Sequence, residues 1–182
     1  MRCGPSCSPA DPVADLFHRR ILVVLSPNPP MIERLTTAET YSLRRSVLRN
    51  GTPSDVVEFE GDDDPGTVHL GWRVDGEVVA ISTWMRRSYY VRPAIDAFQL
   101  RGMVTSPSIR GTGVGSQVLL AGLDNCRASG AQAVWARARD SAVEFYEAHG
   151  FGVVGDGYVD GETGEPHHDM FLVLSDQMRP DD

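Results

Sequence analysis

The segment Arg110-Gly111-Thr112-Gly113-Val114-Gly115 constrains this chain more than any other. It follows a β-rich run, Phe98 to Thr105, closed by Ser106-Pro107, and it precedes Val118, Leu119, Leu123 and Cys126 at helical spacing. A strand, a glycine-rich turn and a helix start in that order gather unpaired N–H groups and the positive end of a helix dipole. Glycines there remove the Cβ atoms that would hold a phosphate away. The alternative is a turn whose glycines only let the helix approach the strand. Two nucleotide folds are excluded by spacing: a Walker loop needs Gly-Lys-Ser/Thr and a Rossmann fingerprint needs Gly-x-Gly-x-x-Gly, whereas this turn reads Gly-x-Gly-x-Gly. All 17 basic residues are Arg, which removes lysine Schiff bases and lysine general bases as well.

Composition narrows the classes further. A length of 182 residues suits one domain with an extension, since domains run at about 150 residues. With 41% apolar and 23% charged residues and a formal charge of −8, the chain is neither disordered nor a globally basic nucleic-acid binder. The charge is unevenly spread: residues 52–77 hold eight acids against one Arg, as do residues 155–182, while residues 78–154 hold eight Arg against five acids. Such a centre suits a small anionic ligand better than a polyanion. Cys3, Cys7 and Cys126 make no disulfide framework and no zinc spacing. The longest early apolar run, Ile21 to Leu25, is too short for a signal or a membrane span. A cytoplasmic protein is the expectation.

Along the chain, six of the 12 prolines fall in the first 30 residues, which marks residues 1–29 as an extension, with Leu16 to Leu25 as a candidate edge strand. A domain over 30–176 and an acidic tail over 177–182 follow. Thr36-Thr37-Ala38-Glu39 has capping-box spacing ahead of Tyr41, Leu43, Val47 and Leu48, and predicts a first helix ended by Asn50-Gly51. Gly61 to Gly66, with Asp62, Asp63 and Asp64, reads as a solvated turn without calcium-loop spacing. Val68 to Val74, Asp75-Gly76 and Val78 to Met85 predict a β-hairpin. After the glycine-rich turn and its helix, closed by Gly130, Ala133 to Ala138 reads as a buried strand. Asp140 starts another helix with Ala142, Phe145 and Tyr146 on one side, and His149-Gly150 ends it. Strands near Phe151 to Val159 and Met170 to Leu174 finish the order. The expected class is α/β: helices packed as a sandwich on one central, mostly antiparallel sheet.

Taken together, Arg110-x-x-Gly113-x-Gly115 after Met103-Val104-Thr105, and Asp140 to Phe151 with its Phe145-Tyr146 and Gly150-Phe151, resemble the GNAT N-acetyltransferase superfamily. So do the first helix and Pro166-His167-x-x-Met170, and the likeness covers about residues 31–175. The resemblance implies the GNAT fold and acetyl-CoA as cosubstrate. It implies a fourth strand that splays from the fifth, so that the backbone of Met103, Val104 and Thr105 meets the pantetheine arm. It implies a pyrophosphate held by Arg110, Gly111, Thr112, Gly113, Val114, Gly115 and Ser116. Tyr146 matches the family's frequent general acid, its hydroxyl aimed at the departing sulfur; read without the family, it is an aromatic packed beside Phe145. Asp140 stands where the family often has a coenzyme-contacting Asn, and a helix N-cap is the equal reading.

No carboxylate lies on Phe98 to Thr105 to act as base, so Glu58, Glu60, His69, Asp96 and His167 are the candidates, with His167 having the most suitable intrinsic pKa. His167-His168 lacks metal-site spacing, and no metal is implied. The resemblance points to transfer of an acetyl group to a primary amine of a small molecule or peptide by direct attack. A non-catalytic acyl-CoA sensor of the same fold is the alternative. Expected partners are acetyl-CoA and an amine acceptor, with no nucleic acid or membrane, in a monomer or homodimer. The acceptor is expected to approach the first helix, residues 51–66 and 86–97, and the late loop 160–168, whose acids suit a cationic amine or polyamine.

Overall fold

A computed structural model describes Met1 and residues 31–174; the Leu16 to Leu25 segment and the tail over 177–182 lie outside the described residues. The strands are β1 Met31–Leu35, β2 Val68–Val74, β3 Glu77–Arg86, β4 Ala97–Thr105, β5 Ala133–Arg139, β6 Gly152–Val159 and β7 Pro166–Val173. The helices are α1 Thr37–Leu43, α2 Val114–Ala128 and α3 Val143–Glu147. One seven-stranded sheet runs β1-β2-β3-β4-β5-β7-β6. The β4·β5 pair is parallel and the others are antiparallel, so the sheet is mostly antiparallel, as expected. Among the described residues, no helix is long and apolar enough to cross a membrane.

Local signals act where the spacing places them. The Glu39 carboxylate accepts from the Thr36 amide and hydroxyl, both at 2.8 Å, and so starts α1. Asp75 (φ 48°) and Gly76 (φ 88°) turn β2 into β3, the positive pair that a tight hairpin requires. The first helix does not continue as a plain α-helix: Arg44–Leu48 form a π-helical turn.

The two faces of the sheet are filled differently. Leu35, Leu43, Ile81 and Val104 form a cluster under α1, while Trp84, Leu119, Leu123, Cys126, Val134 and Met170 join the main core under α2. Gly122 lets α2 close on that core, because a Cβ there would lie 1.9 Å from the Trp84 ring.

Three features depart from expectation. β1 precedes the first helix as an edge strand on β2, with Met31 opposite Arg73 and Leu35 opposite His69. β7 begins at Pro166, not Met170: lying between β5 and β6, it finds partners for its polar first half. Asp62 is not a solvated turn residue, since it is 6% exposed and its carboxylate accepts from the Arg44 guanidinium at 2.5 and 2.9 Å. The fully buried Arg44 needs that anion within the fold.

Candidate active site

β4 and β5 pair only from Ala97↔Ala133 to Leu100↔Ala136. Beyond these positions β4 stays with β3, pairing Val104 with Ile81 and Thr105 with Ala80, whereas β5 stays with β7, pairing Arg137 with Asp169 and Arg139 with His167. The parallel neighbours therefore splay, and each leaves an edge without a strand partner among the described residues. A bulge in the β3·β4 register near Ser82 and a positive φ at Gly102 (55°) bend β4 at the same point.

Two cavities occupy the opening. The larger, of about 610 Å³, has Met103, Val104 and Thr105 on one side and Arg110, Gly111, Gly113, Gly115 and Ser116 on the other. The smaller, of about 200 Å³, lies toward β7 and the 160–163 loop. They share Leu48, Met103, Arg139, Ala142 and Tyr146, and so meet between the separated strands.

The glycine turn is required by its backbone more than by its space. Gly111 (φ 78°) and Gly113 (φ 86°) are left-handed, and a Cβ on either would touch nothing within 4 Å. Gly115 is the crowded position, where a Cβ would lie 3.2 Å from the Thr105 hydroxyl. α2 starts with no side-chain cap, and its first backbone bond runs from Gln117 N to Gly113 O at 3.1 Å. The amides of Val114, Gly115 and Ser116 thus have no intrahelical partner, and Gly115 and Ser116 line the cavity beside the helix dipole. Two of the proposed residues do not line the cavity: Val114 packs on Ala80 and Val118, and the Thr112 hydroxyl donates to the Ile109 carbonyl at 2.7 Å.

Tyr146 stands where the cavities meet. Its ring packs against Phe145 and Phe151 at centroid distances of 5.4 and 5.3 Å, yet its hydroxyl has no hydrogen-bond partner among the described residues. Burial pushes the phenol well above its usual range, so it carries its proton at neutral pH. Asp140 does not line either cavity. Its carboxylate accepts from His168 Nδ1 at 2.9 Å and caps nothing, because Arg139 occupies the N-cap position of the short turn that precedes α3.

The base candidates separate clearly. Asp96 is bound to Arg86 near the far end of β4. His69 is buried between Thr83 and the Asp62 carbonyl, away from the opening. Glu58 and Glu60 line a neighbouring cavity of about 420 Å³, both exposed. Of the five, only His167 lines the same cavity as Tyr146. Its Nδ1 lies 2.9 Å from the Glu165 carbonyl, which can only accept, so Nδ1 donates there and Nε2 is the ring nitrogen left for another partner.

The arginines distribute otherwise than the charge pattern suggests. Of the eight between 78 and 154, Arg110 and Arg139 line the larger cavity, whereas Arg101 and Arg137 line both smaller ones. Arg101 and Arg137 carried no motif. The signal available was the alternation Arg137-Ala138-Arg139 at the end of an apolar strand, which places charges beyond the buried portion.

The family model of the Acetyltransferase (GNAT) family matches residues 31–151. The chain is 27% identical over 125 residues to Bacillus subtilis YitI, named as an uncharacterized N-acetyltransferase, covering 69% of this chain and 84% of that protein. Its fold is similar to Escherichia coli ElaA, with a TM-score of 0.64, 20% identity and coverage of 79% and 99% of the two chains. It is also similar to an aminoglycoside 6'-N-acetyltransferase solved with coenzyme A, with a TM-score of 0.63, 15% identity and coverage of 83% and 99%. On the extent of the family match, which spans the first helix, the splayed strand, the glycine turn and the Tyr146 segment, this chain belongs to the acetyltransferase (GNAT) family.

Proposed function

We propose that the chain is an N-acetyltransferase that transfers the acetyl group of acetyl-CoA to a primary amine of a small molecule or peptide by direct attack. The observation that carries this reading is the splay beyond Leu100 and Ala136, which joins two cavities at Tyr146. The larger suits the coenzyme: open amides at the start of α2 and Arg110 match its phosphates, and the unpaired edge of Met103 to Thr105 matches its amide-bearing arm. The coenzyme supplies an activated thioester. The smaller cavity receives the amine.

The chain's own residues then move protons and exclude water. The attacking nitrogen forms a bond to the acetyl carbon as the carbon–sulfur bond breaks. The amine proton passes to His167 Nε2, and the Tyr146 hydroxyl, kept protonated by burial, donates to the departing sulfur. No step asks for a metal. We place the enzyme in the cytosol, as a monomer or homodimer.

The test is release of free thiol from acetyl-CoA across a panel of primary amines. Saturable, amine-dependent release that falls at least tenfold in His167→Gln, with coenzyme affinity retained, supports the reading. Saturable coenzyme binding with no release for any amine favours the non-catalytic sensor instead.

A further inference from the structure

We infer that the acceptor carries a carboxylate in addition to its amine, and that Arg101 and Arg137 bind it. The inference rests on the proposed acetyl transfer and names the class of its acceptor. Arg101 on β4 and Arg137 on β5 are the first residues past the last paired positions, Leu100 and Ala136. Both line the smaller cavity with Tyr146 and His167, and the neighbouring one of about 420 Å³; neither lines the coenzyme cavity.

Both guanidiniums lack an acceptor among the described residues. Arg101 is half-buried and lies over the Phe59 ring, 4.4 Å from its centroid, with no ion pair or hydrogen bond. A cation held from water in this way costs solvation that an anion would restore. The cross-strand neighbour of Arg137 is Asp169, buried and negative. That carboxylate accepts from Tyr89 at 3.0 Å and Tyr90 at 2.5 Å on one oxygen and from Tyr158 at 3.0 Å on the other. It offsets part of the Arg137 charge but is not in hydrogen-bonding contact with it.

The acids expected to attract a cation line these same cavities, but three of the four are held by partners other than Arg101 and Arg137. Glu162 pairs with Arg49 at 3.1 Å and Glu60 with Arg87 at 3.9 Å. Asp160 accepts from the amides of Glu162 and Thr163 at 3.1 and 2.9 Å, within its own turn, and Glu58 is exposed at the rim. A polyamine would meet two guanidiniums that have no acceptor among the described residues, one half-buried and one exposed, whereas a carboxylate takes charge-assisted bonds from either or both. The acceptor is thus an amino acid or a compound that, like it, holds an amine and a carboxylate a few bonds apart.

The experiment compares each amino acid with its decarboxylated amine, phenylalanine with phenethylamine and leucine with isopentylamine, in thiol release by the full-length protein. A calorimetric titration of the same four compounds into coenzyme-saturated protein accompanies it. The expected result is that at least one amino acid binds and is acetylated with a KM at least tenfold below that of its amine. Arg101→Gln and the solvent-exposed Arg137→Gln should each raise that KM about tenfold to a hundredfold, leaving the coenzyme Kd unchanged. Amines that match or surpass their amino acids in both readouts overturn the inference, as do Gln variants that weaken coenzyme binding alone. Amino acids that bind through the two arginines without any thiol release uphold the carboxylate site and overturn acetyl transfer, so the two failures are distinct.

Discussion

Replacing Tyr146 by Phe removes one oxygen from the place where the two cavities meet. The ring stays packed between Phe145 and Phe151, so the apolar area it buries is unchanged. The lost hydroxyl has no protein partner among the described residues, so no buried donor or acceptor is orphaned. The expected cost in stability is therefore under about 0.5 kcal/mol, or a fall in Tm of under about 2 °C for a chain of this size. Chemistry is affected far more. A positioned acid contributes about 10²- to 10⁴-fold, and a thiol is an easy leaving group, so the low end applies: about a hundredfold in kcat, or about 2.7 kcal/mol of transition-state stabilisation. Steady-state thiol release beside calorimetric coenzyme binding and a thermal melt reads all three quantities. A kcat within threefold of the parent refutes the acid role. A fall in Tm beyond about 4 °C refutes the claim that the hydroxyl is free in the fold. Tyr146→Ala would not serve, because emptying an aromatic site costs about 3–5 kcal/mol and confounds stability with catalysis.

Three further outcomes are expected. Gly113→Asp puts a negative charge and a Cβ at φ 86°, so coenzyme affinity by calorimetry should fall at least about a hundredfold while the fold is retained at a strain of about 1–2 kcal/mol. Unchanged affinity would sink the phosphate cradle. Gly122→Ala drives a Cβ to 1.9 Å from the Trp84 ring; overpacking of about 1–3 kcal/mol exceeds the helix-propensity gain of about 1 kcal/mol. The net cost of about 1 kcal/mol lowers Tm by roughly 2–4 °C, and an unchanged or raised Tm contradicts the packing. Burial holds the His69 pKa below its usual 6.5, so the unfolded chain binds the extra proton first. Stability from this group is full above about pH 6.5 and is lost as pH falls below it. The difference in Tm between pH 7.5 and 5.5 should shrink in His69→Asn, and an identical difference would remove His69 as its source.

Much of the site was legible because it is written in short spans. Residues 110–116 and the positions that follow specify a left-handed turn and a helix start, whose exposed amides are a property of local backbone geometry. Phe145-Tyr146 inside a helix opened at Asp140 and ended at Gly150 placed the phenol on the side that packs. What escaped was set by partners far apart in sequence. Asp62 looks like a solvated acid until Arg44 and the sheet enclose it. Asp140 looks like a cap or a coenzyme contact until β7 brings His168 to 2.9 Å. His167 could not be chosen over Glu58 or Asp96 until the register of β7 set it opposite Arg139, beside the opening.

The division has a physical basis. Turns, caps and helix starts depend on interactions across three or four residues, so the amino-acid sequence by itself determined the glycine cradle, the α1 capping box, the Asp75-Gly76 hairpin and the absence of lysine chemistry. Strand partners separated by tens of residues are selected by the packing of the whole sheet. Only the tertiary structure decided that β4 and β5 part after Leu100 and Ala136, and that Asp169 is claimed by three tyrosines. It also decided that Arg101 and Arg137 stand without acceptors among the described residues, beside the place where the amine would enter.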